Sequence, residues 1–396
     1  MRRSRVLALV VAGACVLASG CTGGGPPPVA PAHAAVSSST PAAAGSPSPS
    51  TPRPRSFTLV ATGDVLLHPP LWAQARMDAA HAGREPMDYA LMLAAVKPYV
   101  SGADIAICHL ETPLASPSGP YAGYPLFSVP PQVVPALAAT GYDVCSTASN
   151  HTFDQGAPGI ERTLDDLDAA GIAHAGSART PAEAALTTIL DAHGVKVAFL
   201  SYAYGFNGIP YPGGDRWRAN VIDVPAILAA ARTARERGAQ VVVVAMHWGT
   251  EYQQTPSAQQ RELAPELARS PDIDVIISHH AHVVEPIEKI GHTWVVYGLG
   301  NLVAAHSPPS AVNAEGLLVR FTFTQTSTGR FTVTKAEYEP LLVTRNRPIR
   351  VLDVPVALAT HAYGTSTRAR LLQALARTTR VVDSRGAVPA GLVAIR

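Results

Sequence analysis

Apolar positions along this chain cluster in two distinct ways. Short runs dense in Val, Ile, Leu and Ala recur at residues 58–61, 105–108, 144–147, 195–201, 241–246 and 275–278. Such runs are too short for core helices and predict buried strands. Between them, apolar residues at helical spacing predict helices over 87–100, 131–139, 160–170, 225–237 and 258–269. Strand and helix in alternation predict an α/β domain with parallel strands. After Trp294 the pattern changes. WVVYGLGNLV and the pair EGLLVRFTFTQ and RFTVTKAEYEP, joined by the turn-like TSTG, predict antiparallel strands completing a second sheet. Residues 365–379 form a basic amphipathic stretch, expected to be a helix packed on the surface.

Two N-terminal segments fall outside this pattern. Arg2, Arg3 and Arg5 precede a short apolar run, and small residues lead into Cys21. This reads as a secretory signal over 1–21, ending in a lipobox-like site whose Cys21 would be lipidated. Residues 22–55 are nearly all Pro, Ala, Gly, Ser and Thr, a composition that cannot bury a core and predicts an extended tether. The expected organisation is therefore a leader, a tether, a main domain over 56–345 and a helical extension over 346–396. The expected location is the outer face of the cell membrane, held there by a lipid anchor.

A 396-residue chain with 47% hydrophobic and 15% charged residues can fill one large core. Its formal charge of +2 lacks the basic excess that phosphate backbones demand, which argues against nucleic acid as a partner. Cys15 and Cys21 belong to the leader, leaving Cys108 and Cys145 in predicted strands. Adjacent strand cysteines often miss disulfide geometry, so two packed thiols are expected.

The chemistry gathers where strands end. Gly63-Asp64 with His68 follows the first run, His109-Leu110-Glu111 the second, and Asn150-His151-Thr152-Phe153-Asp154 the third. His247 with Glu251, and His279-His280-Ala281-His282, follow later runs. In α/β sheets, sites are built at that edge. Imidazole nitrogen mixed with carboxylate and amide oxygen suits a borderline divalent cation such as Zn, Mn or Fe(II). Asp64, Glu111, Asn150, His247, His280 and His282 are the candidate ligands for one or two ions, which would clamp an oxygen and activate a water. His68, His109, His279 and Glu251 are further candidates, as ligands or as supports for ligands. His151 is the candidate general acid, oriented by Asp154. Alone, Gly-Asp is a common strand-to-turn junction, and Asn150-His151-Thr152 also spells a glycosylation sequon. The loop with Tyr204 and Asn207 lines a cleft or closes a core edge. Three histidines directly after an apolar strand are harder to explain as packing. No Walker loop, His-Glu-x-x-His or Gly-x-Ser-x-Gly sequence occurs.

In this order, TGDVLLH, DIAICHLETPLA, GYDVCSTASNHTFDQG, VVVVAMHWGTEY, VIISHHAHVVEPIE and VVYGLGNLV resemble the CapA family. That family is associated with poly-γ-glutamate capsule synthesis and related to calcineurin-like metallophosphoesterases. The resemblance implies a metallophosphatase-like α/β fold, two packed sheets flanked by helices, with a metal site on the six ligands named above. His109 stands where the family usually has Asn, and Ser278 where it commonly has Gly. Asp64-x-x-x-His68 is wider than Asp-x-His, which leaves His68 at the margin and one tightly held ion as an alternative to two. The expected function is metal-dependent hydrolysis or transfer on an anionic envelope polymer or a phosphate-bearing substrate. The competing readings are a non-catalytic scaffold for a membrane synthase complex and a general extracellular phosphoesterase.

Overall fold

The computed structural model describes residues 55–83 and 86–395, so the leader, Cys21 and most of the tether lie outside the described residues. The chain begins with β1 (Ser56–Val65), α1 (Pro69–His81), α2 (Ala90–Leu93), α3 (Lys97–Val100) and β2 (Ile105–Leu110). It continues through α4 (Val133–Thr140), β3 (Val144–Ser146), α5 (Gly156–Ala169), β4 (Ala173–Ala175), α6 (Pro181–Ala184) and β5 (Thr188–Ala192). Next come β6 (Val195–Ala203), α7 (Val224–Glu236), β7 (Val241–Trp248), α8 (Ala258–Ala268) and β8 (Val275–His280). Then follow β9 (Ile287–Ile290), β10 (Thr293–Val296), β11 (Asn301–Val303), β12 (Glu315–Gln325) and β13 (Phe331–Val343). The last elements are β14 (Val351–Asp353), α9 (Val354–Thr360), α10 (Arg368–Val382) and β15 (Leu392–Ala394).

Two sheets form. The first runs β14-β13-β12-β1-β2-β3-β4, with β11 beside β1 and β15 beside β13; the second runs β5-β6-β7-β8-β10-β9. The predicted parallel strands are thus divided, β1 to β3 in one sheet and β6 to β8 in the other. The β12–β13 hairpin forms as expected but extends the first sheet, antiparallel to β1, instead of completing the second. Its alternation explains the placement. Leu317, Val319, Phe321 and Phe323 join the core shared by both sheets, while Leu318 faces the core on the other side. Helices α4 and α5 cover the outer face of the first sheet, and α7 and α8 that of the second.

The helix expected over 87–100 is broken into α2 and α3, because Pro98 has no N–H to close a turn onto Ala94. Residues 346–396 hold two helices but also β14 and β15, both paired with β13. Helix α10 packs Leu371, Ala374, Val381 and Val382 inward, as its amphipathic pattern predicts.

The cysteines correct the expectation of two free thiols. Cys108 and Cys145 are direct partners in the β2–β3 register, with Cα atoms 4.5 Å apart, and are joined by a disulfide. Direct cross-strand pairing points both side chains to the same face, which brings the sulfurs within bonding reach.

Candidate metal centre

Register brings the chemistry to one edge. Asp64 lies opposite His109 across β1–β2, and β7–β8 places His247 opposite His279 and Trp248 opposite His280. Gly63 is what lets Asp64 sit there: a side chain at Gly63 would collide with the carbonyl of Gly300, which accepts a 2.9 Å hydrogen bond from the Asp64 N–H. At the end of β8 and just beyond it, His280 and His282 hold backbone φ of 93° and 55°. Left-handed backbone costs about 1–3 kcal/mol at a non-glycine residue and is retained mainly where side chains must be aimed.

Asp64 is fully buried. His279 Nδ1 donates to its Oδ1 at 2.8 Å, and His282 Nδ1 to its Oδ2 at 3.0 Å. Burial opposes its charge, yet these two hydrogen bonds hold its carboxyl well below the usual range. Glu111 Oε1 lies 3.6 Å from His282 Nε2. Burial pushes Glu111 up to about 7, with the His282 charge opposing that shift. Burial acts against the charge on His282, but Glu111 and Asp64 raise it to about 9. His280 falls to about 3, first through burial and then through repulsion by His282.

His247 joins this cluster to the third strand. Its Nε2 lies 2.8 Å from Asn150 Oδ1 and its Nδ1 lies 3.0 Å from His109 Nε2. His109 in turn meets Ser146 Oγ at 2.7 Å and stacks on His279 with ring centres 4.2 Å apart. His109 therefore stands behind His247, orienting its ring. Burial first, and then the crowd of imidazoles, keep both rings neutral, the state a ligand needs.

Three overlapping groups have donor atoms within 4.8 Å of one another: Asp64, Glu111 and His282; Asp64, His109 and His279; and Glu251, His280 and His282. Both carboxylate oxygens of Glu111, Nδ1 of His280 and Nε2 of His279 are buried with no hydrogen-bonding partner among the described residues. An unsatisfied buried polar atom costs about 1–3 kcal/mol, so a native fold keeps such atoms for something that satisfies them. A divalent cation fits this donor set.

The remaining candidates sort by position. His151 Nδ1 donates to Asp154 Oδ2 at 2.7 Å, and that same oxygen accepts the Phe127 N–H at 2.8 Å, which locks the carboxylate. Glu251 is exposed but close enough to join His280 and His282. His68 stays at the rim: its Nδ1 accepts the Ala305 N–H at 3.2 Å and it belongs to none of the three groups. The 204–207 loop does line the site, since Asn207 Oδ1 accepts from Asn150 Nδ2 at 3.2 Å and Tyr204 packs 4.6 Å from His280.

Two supports carry more weight than their sequence context suggested. Asn301, within the VVYGLGNLV motif, is within 3.2 Å of His282 Nδ1 through Oδ1 and donates to the His282 carbonyl at 3.1 Å. His306, not recognised at all, packs 4.7 Å from the His282 ring; burial and then the His282 charge depress it to about 2. The Gly-Leu-Gly-Asn run before β11 was the available signal for Asn301. A lone His306 before Ser-Pro-Pro offered none.

The family model described as bacterial capsule synthesis protein PGA_cap matches residues 58–306, a span that contains every residue of the cluster. The chain is 29% identical over 202 residues to the PGA biosynthesis protein CapA of Bacillus subtilis, covering 51% of this chain and 52% of that protein. It is 28% identical over 177 residues to the capsule biosynthesis protein CapA of Bacillus anthracis, covering 43% and 42%. The chain thus spans about half the length of the relatives it matches. Among solved structures, a 5'-nucleotidase precursor from Thermus thermophilus aligns with TM-score 0.46 at 16% identity, covering 82% of this chain and 59% of that one. A calcineurin-like phosphoesterase from Bacillus subtilis aligns with TM-score 0.42 at 16% identity, covering 81% and 99%. With the matched span exceeding half of its length, this chain belongs to the PGA_cap family of bacterial capsule synthesis proteins.

Proposed function

We propose that this protein is an exported, lipid-anchored, metal-dependent enzyme that hydrolyses or transfers a linkage in poly-γ-glutamate or a related anionic envelope polymer. The observation that carries the reading is the convergence of Asp64, Glu111, Asn150, His247, His280 and His282 from five separate strand ends into one buried cluster. Among the described residues, both carboxylate oxygens of Glu111 and Nδ1 of His280 have no hydrogen-bonding partner. A stability role alone does not call for His151 and Asp154 beside that cluster.

Asp64, Glu111 and His282 would hold one ion, with Asn150, His247 and His280 holding the same or a second one. A bound divalent cation supplies Lewis acidity toward a polarised oxygen. The chain's own groups do the rest. Pairing of Nδ1 with Asp154 fixes the His151 tautomer and leaves Nε2 as the ring atom that exchanges a proton with the substrate. His109 and Asn301 hold the rings of His247 and His282 in place. The Cys108–Cys145 disulfide suits an oxidising compartment and supports export.

The test is turnover by wild type and His151→Asn on oligo-γ-glutamate and on phosphodiester substrates, with metal content measured in both. Loss of about 10²–10⁴-fold in rate at unchanged metal content is the expected result. Full metal occupancy without turnover of either substrate by wild type would instead favour a scaffold that assists a membrane synthase. Turnover of phosphodiesters alone would favour a general phosphoesterase.

A further inference from the structure

Beside the histidine cluster lies a groove of about 480 Å³ that begins at His306 and passes Ala305 and Pro309 to reach Arg345. His306 packs 4.7 Å from the His282 ring, so the inner end of the groove adjoins the metal centre. A second cavity of about 350 Å³ shares Arg345 and continues to Arg370. No carboxylate lines either cavity. Arg370 is committed to Glu315 at 2.6 Å. Arg345 forms no ion pair among the described residues, and its guanidinium meets only the neutral Asn313 Oδ1, at 3.4 Å. Partial burial and then repulsion from Arg370 disfavour its charge; the buried Glu315 carboxylate opposes this shift but is itself held by Arg370 and Arg377, so Arg345 has no carboxylate of its own.

We propose that this groove seats an extended carboxylate-bearing chain, with Arg345 gripping one carboxylate while a linkage further along lies at the histidine cluster. The inference rests on the reading of the centre as one that acts on an anionic chain. One guanidinium without an ion pair, with the side-chain amide of Asn346 beside it in the groove lining, suits singly charged groups spaced along an amide backbone. A polyphosphate would call for a cluster of free cations. The apolar wall at Ala305 and Pro309 suits the methylene segments between charges.

The experiment measures binding of a fluorescently labelled oligo-γ-glutamate to the full chain by anisotropy, for wild type, Arg345→Ala and Arg345→Lys. Arg345 is exposed, and melting temperature verifies that each variant folds. Loss of one charge-assisted contact predicts about tenfold weaker binding by Arg345→Ala, partial recovery in Arg345→Lys and weakening with salt. Arg345→Ala binding as tightly as wild type would overturn the proposal, as would equal binding of neutral oligoglutamine or no binding by wild type. Tighter binding of polyphosphate would overturn the carboxylate assignment. Arg345-dependent binding without turnover of the oligomer would sustain the groove while removing the enzymatic reading of the centre.

Discussion

His109 and His151 occupy similar sequence settings, each beside a ligand candidate, yet the structure gives them different work. His109 sits behind His247, with Nε2 3.0 Å from its Nδ1, and stacks on His279. His109→Ala should therefore weaken metal affinity about 10–100-fold, the usual effect of removing a group that orients a ligand, as read by chelator competition. An unchanged affinity would show that His247 needs no such support. His151 pairs with Asp154, and its loss should leave affinity intact while turnover falls. Much of this residue chemistry was readable from composition at strand ends, because Asp, Glu, Asn and His in one repeated position have few other uses. His306 and Asn301 lack such a signal. Both reach the site through β11 and the loop after it, and only the parallel pairing of Asp64 with Asn301 brings that segment in.

Among elements, the β2–β3 pair carries a covalent tie that periodicity could not reveal, since register between separate strands is set by the whole sheet. The disulfide closes a loop with a sequence separation of 37. Chain entropy then predicts that Cys145→Ser costs about 3–4 kcal/mol, visible as a lower urea midpoint. A midpoint equal to wild type would mean that the bond constrains nothing in the unfolded chain.

The β13–β14 edge makes a second prediction. Burial first, and then the neighbouring Asp353 carboxylate, raise Glu339 to about 9. Its folded value lies above its unfolded one, so its contribution is fully present below about pH 4.5 and is lost as pH rises toward 9. Glu339→Gln, neutral at every pH, should melt higher than wild type at pH 8, and the gap should narrow toward pH 5. A gap that widens on acidification would reverse the sign. The central strands were legible because Val-rich runs have few alternatives. Short β4, β11 and β15 carry three residues each and depend on neighbours rather than on their own pattern.

At the scale of the molecule, two sheets pack face to face so that strand ends distant in sequence share one edge. Asp64 and His282 are separated by 218 positions, yet their side chains touch at 3.0 Å. Sequence order could list the strand ends but could not assign them to sheets, because parallel strands in either sheet carry the same apolar signature. The family resemblance supplied the two-sheet arrangement, and the register of β1, β7 and β8 shows why it works. Placing β12 beside β1 also keeps β1 central, and β11 and β2 flank its Asp64 on either side.

A divalent cation held at this edge is what the site's donor atoms predict. The most direct measurement is elemental analysis of the purified full chain and of its His280→Ala/His282→Ala variant after reconstitution with Mn, Zn or Fe(II). The donor set predicts about one to two ions per wild-type chain and a near-complete loss in a variant that still folds. Wild type that retains none of the three metals, or a variant that binds as much as wild type, would contradict it.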